Sequence, residues 1–213
     1  MFRDLAQLVK LLGSAASGVK KLKTASERRE SVLGLLKTYL LLKDCVDEGE
    51  QLVLDASADP IRKISEQSAD EAIETLTRWD LVIRNQGFRL YELQGYVFGA
   101  DHLAVIDPAL QDRISEVVGS KMQRVTSLHG IGAALFFRNM CPIANTNEER
   151  ARYVAVMAGS KGDLLNMERV VGEISSLKSA LDEYRTVIDK LMSQEEVLAL
   201  SSVARRATST LKA

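Results

Sequence analysis

The chain has 213 residues, 46% of them hydrophobic and only 5% aromatic, enough to bury a sizeable and mainly aliphatic core. Lysine plus arginine is 28 against 29 for aspartate plus glutamate, a formal charge of −1, which excludes a global field that recruits nucleic acid or anionic lipid. No stretch approaches the ~20 apolar residues needed to span a bilayer, and the two cysteines, Cys45 and Cys141, show no CxxC or Cys/His spacing that would mark a metal site. They read as reduced core residues of a cytoplasmic protein, and no cofactor is expected.

In chain order, the first expected helix covers about 2–23. Leu5, Leu8, Val9, Leu12, Ala16 and Val19 line one side, while Arg3, Lys10, Lys20, Lys21 and Lys23 outnumber Asp4. Such a helix either buries its apolar stripe in a bundle or lies on an anionic membrane surface. Thr24 with Glu27 has capping-box spacing and opens a helix over about 26–56, whose stripe Val32, Leu35, Tyr39, Leu42 and Val46 is surrounded by further apolar residues. That composition predicts a central position.

Asp59-Pro60 supplies an N-cap acceptor followed by the residue best tolerated at the first helical position, and predicts a helix over 60–85 ended by Gly87. It carries the only tryptophan, Trp79, and the acidic set Glu66, Asp70, Glu71 and Glu74, read as a solvated face. Residues 88–98 hold Phe88, Tyr91, Tyr96 and Phe98, with Gly95 and Gly99 interrupting, and are expected to be a short irregular helix or an extended segment. These rings are assigned to the core first and to an interface second.

Asp107-Pro108 repeats the helix-start dipeptide and predicts a helix over 108–140 with a Val125, Leu128, Gly132 and Leu135 stripe. A helix over 147–158 follows, opened by the Thr146–Glu149 box, and the glycines of Gly159-Ser160-Lys161-Gly162 read as a turn rather than a phosphate loop. The strongest pattern lies in the next helix, over 163–192. Val170, Ile174, Leu177, Leu181, Tyr184, Ile188 and Leu191 alternate steps of four and three, the spacing of a coiled-coil seam. Ser193 with Glu196 opens a last short helix before a polar tail over 207–213.

The expected architecture is therefore all-α: one elongated bundle of about five to seven helices over 1–213, with 1–23 an amphipathic helix free to move. The preferred function is a non-enzymatic interaction or scaffold module that self-associates or binds a partner subunit through the 170–191 seam and the aromatics Phe88, Tyr91 and Tyr96.

Two alternatives accompany it. Arg124 and His129, separated by four residues, resemble the active-site motif of HEPN-type ribonucleases, which are also helical bundles. The resemblance covers six residues and implies metal-independent RNA cleavage across a dimer, with His129 moving a proton and Arg124 stabilising phosphate charge. Nucleic acid is a partner under this reading alone. The second alternative is a membrane-surface bundle using Leu5, Leu8, Lys10, Leu12, Lys20 and Lys21.

Overall fold

A computed structural model describes residues 2–58, 60–98, 106–107, 109–114 and 167–209. Among them are seven α-helices and no strand, as the composition and spacing led one to expect. They are α1 (Phe2–Ala16), α2 (Ala25–Ala56), α3 (Pro60–Glu66), α4 (Ala69–Phe98), α5 (Leu110–Ile114), α6 (Met167–Ile188) and α7 (Gln194–Thr208), with a 3₁₀ turn at Ser17–Lys21. The 125–135 stripe, the Thr146–Glu149 box, Cys141 and the 159–162 turn lie outside the described residues.

α2 is central. It packs against α4, α6 and α7, and Val32, Leu35, Leu36, Leu41, Leu42, Cys45 and Val46 are all buried along its length. α6 runs antiparallel to it, with Lys178 on Glu50 at 2.7 Å near one end and the Tyr184 hydroxyl donating to the Leu35 carbonyl at 3.3 Å nearer the other. The Tyr184 ring meets Tyr39 at a tilt of 55°, 6.5 Å between centroids, within the favourable range for aromatic pairs. α7 returns alongside α2 and is tied to it by Arg205, which holds both carboxylate oxygens of Asp44 at 2.7 and 2.8 Å. α1 closes the far side of α6.

The buried side chains form one large cluster through α1, α2, α4, α5, α6 and α7. A smaller one holds Ala56, Ile64, Ala72, Leu76 and Trp79 where α2, α3 and α4 meet. Each fully buried Leu or Ile contributes roughly 1.5–3 kcal/mol of transfer free energy, so an aliphatic core of this size needs few aromatic rings.

Three helix starts have the same chemistry. At Thr24 and Ser193 the hydroxyl accepts from the backbone N–H three residues on, and the Glu27 or Glu196 carboxylate accepts from the cap residue's own N–H. Ser68 with Glu71 forms the third, through the Ser68 N–H to Glu71 at 2.9 Å and the return bond at 3.4 Å. Those bonds hold the carboxyls of Glu27, Glu71 and Glu196 below the usual carboxylate range.

The third start divides the helix expected over 60–85. The chain breaks at Gln67–Ser68, and α4 then continues through Gly87 and Gly95 to Phe98. Gly87 caps nothing, and 88–98 is regular helix as far as Phe98. The reason is packing, since Leu90, Leu93 and Val97 are buried and extend the apolar repeat beyond Gly87. Propensity yields to tertiary contact here.

α1 also stops short of the expected 2–23. The Ser14 hydroxyl donates to the Leu11 carbonyl at 2.8 Å and Ser17 to Ser14 at 2.9 Å, competing with the helical ladder just where it tightens into 3₁₀ geometry. Gly18 permits a close approach there, because a β-carbon at that position would stand 3.0 Å from Ile106 Cγ2 and 3.2 Å from its carbonyl oxygen.

Candidate interaction surface

α4 carries two stripes. Leu76, Trp79, Ile83, Gln86, Leu90, Leu93 and Val97 step by three and four along the inner face, and all but the partly buried Ile83 are buried. About half a turn away, Thr77, Leu81, Arg84, Phe88, Tyr91 and Gly95 step by four and three along the outer face. Here Leu81 is 54% exposed, Phe88 60% and Tyr91 70%. Arg84 lies among them with its guanidinium on Asp80 at 2.7 Å.

Two polar junctions fix the inner face, and so aim the outer one. Near the start of α4, Asp55 of α2 accepts from Trp79 Nε1 at 2.8 Å, from Arg78 at 2.8 and 3.1 Å, and from Lys63 of α3 at 3.1 Å. Partial burial alone would raise this carboxyl, but the donors from Trp79, Arg78 and Lys63 outweigh it and hold the group at about 2. Beside this junction Ser57 turns the chain with φ +65° and ψ −176°, a conformation that favours glycine.

Further along, Arg89 is 5% exposed and pairs with Glu48, with Asp44 3.9 Å away. Burial opposes its charge, yet Glu48 and Asp44 more than compensate and keep the guanidinium ionised. Gln86 donates to the Cys45 carbonyl at 3.1 Å, and Lys37 stands 5.1 Å over the Tyr96 ring. Every carboxylate in these junctions has a cation, so they are anchors with no free acid or base to offer a substrate.

Two oxygens on the flanks of the outer stripe are different. Asp80 Oδ1 and Glu92 Oε2 are shielded from water and accept no hydrogen bond among the described residues.

The residues picked out from sequence distribute as follows. Ile174, Leu177, Leu181, Tyr184 and Ile188 are buried in the chain's own core, and Val170 and Leu191 pack against it. This seam is satisfied by α1 and α2 and is not an outward surface. Leu5, Leu8 and Leu12 are likewise buried, in the cluster shared with α6, leaving only Lys10, Lys20 and Lys21 in solvent. Phe88 and Tyr91 are outside rather than in the core, and Tyr96 is half-buried. Arg124 and His129 lie outside the described residues.

Sequence reading missed Leu81 and Arg84, although Leu81 stands one heptad before Phe88. Among the described residues no group of His, Cys, Asp and Glu could hold a metal ion, and no helix is long and apolar enough to cross a membrane. A half-open groove of about 350 Å³ between α2 and α7 is lined by Arg29, Met192, Glu195 and Glu196, with Glu196 already committed to the Ser193 cap.

No protein-family model, no curated protein and no solved structure matches this chain.

Proposed function

We propose that this chain is a non-enzymatic helical interaction module of the cytoplasm, and that the outer face of α4 is its contact surface. The observation that carries this reading is the exposure of Leu81, Phe88 and Tyr91 on one stripe of a helix whose opposite stripe is closed by the core. Aromatic residues with a neighbouring arginine are the composition of interface hot spots. The anchors at Asp55 and Arg89 hold the helix from behind, so the surface is presented pre-organised, which lowers the ordering cost of binding. Cys45, a free and buried thiol, fits a reducing compartment.

The test is photo-crosslinking in living cells, with a benzophenone amino acid in place of Phe88 or Tyr91 and, as control, of the exposed Glu183 on α6. An adduct of discrete mass at Phe88 and Tyr91 and none at Glu183 is the expected result. Equal labelling at all three positions, or none at any, rejects the surface.

A further inference from the structure

The geometry points to a second copy of this chain as the occupant of the outer α4 face, packed antiparallel about a two-fold axis level with Gln86; this rests on the contact-surface reading above. The outer stripe has the spacing four, three, four, three, four from Thr77 to Gly95, which is the same read in either direction. Two such helices in antiparallel register therefore match stripe to stripe over a length of about 27 Å. Leu81 then faces Tyr91 of the other copy, and Arg84 faces Phe88, placing a cation on an aromatic ring in both halves of the interface. Thr77 faces Gly95.

Gly95 fits this arrangement. It sits well inside the helix with nothing within 4 Å of where its β-carbon would be, so none of the described residues requires a glycine there. Opposite a second backbone it allows close approach.

The flanks supply the independent argument. In the same register Glu92 stands beside Arg78 of the other copy, and Asp80 beside Gln94. Arg78 uses Nε and Nη2 on Asp55 and keeps further donors, while the Gln94 amide brings an N–H. The first pairing is a match of opposite charges and the second one of acceptor with donor, so both flanks are complementary in the antiparallel register. A symmetric pair repeats both contacts, as an isologous interface must.

The experiment uses the full chain. Light scattering over a concentration series is expected to give the mass of two chains at the upper end, with Phe88→Glu and, as a milder variant, Tyr91→Ser each raising the dissociation constant at least tenfold while circular dichroism stays unchanged. In a Cys141→Ser background, a mixture of Leu81→Cys and Tyr91→Cys proteins is expected to form an intersubunit disulfide that neither forms alone. The mass of one chain throughout overturns the dimer but leaves the contact surface for a different partner. A dimer that neither variant weakens overturns both readings. A disulfide between two Leu81→Cys chains overturns the antiparallel register.

Discussion

The two faces of α4 share one helix, one backbone and nearly the same spacing of apolar residues, yet one is closed by α2 and the other is open. The inner face is held by groups with specific partners: the Trp79 indole on Asp55, Gln86 on the Cys45 carbonyl, Arg89 on Glu48. The outer face instead keeps Leu81, Phe88 and Tyr91 in solvent. Apolar periodicity marks a face that wants a neighbour; the exposure of its side chains tells whether this chain supplies one.

That contrast breaks most sharply under one substitution made twice. Leu93→Asp puts an uncompensated carboxylate in the core and should cost several kcal/mol, on the order of a small domain's whole stability, whereas Leu81→Asp should stay within about 0.5 kcal/mol at concentrations where the chain is monomeric. Urea melts of the two variants compare them directly. Leu177→Asp with Leu181→Asp on the α6 seam belongs with the first, and should abolish the cooperative transition.

Next in size is Arg89→Met, which leaves Glu48 facing a methionine in a mostly buried site. The expected loss is about 3 kcal/mol, and partial recovery in Arg89→Met/Glu48→Gln would show that the stranded carboxylate is the cause. At the other anchor, Trp79→Phe keeps most of the ring volume but removes the donor to Asp55, with an expected cost of about 1–2 kcal/mol.

Asp55 also makes a pH prediction. Its folded-state value, about 2, lies below the ordinary 3.8, so its contribution is fully present above the ordinary value and is lost as pH falls from there toward 2. Asp55→Asn should flatten that part of an acid-unfolding profile. The smallest change is Ser57→Gly, which relieves a positive φ and should raise stability by up to about 1 kcal/mol in a thermal melt.

Helix class, the central α2 and two of the capping boxes were legible because each depends on residues a few positions apart. The division at Ser68 was equally local and was overlooked, since Ser68–Glu71 has the same capping-box spacing as Thr24–Glu27. The run of α4 through Gly87 was not legible, because glycine's local penalty is offset by the burial of Leu90, Leu93 and Val97 against residues far away in sequence. The α6 seam shows the opposite difficulty: its spacing is plain, but spacing cannot say whether the covering helix belongs to the same chain. The outer stripe was half visible in Phe88 and Tyr91, which were assigned to the core before an interface because 88–98 lacked a helical register.

Cys45 sits where α4 crosses α2, its thiol fully enclosed and pushed up to about 12 by burial. Both the missing solvent path and the missing thiolate make it inert to alkylation while the two helices stay together. It is thus a built-in clock. The rate at which a soluble maleimide reaches Cys45, read by peptide mass, counts the openings of the α2–α4 pair, and slower labelling at higher protein concentration would report a second chain holding that pair shut from outside.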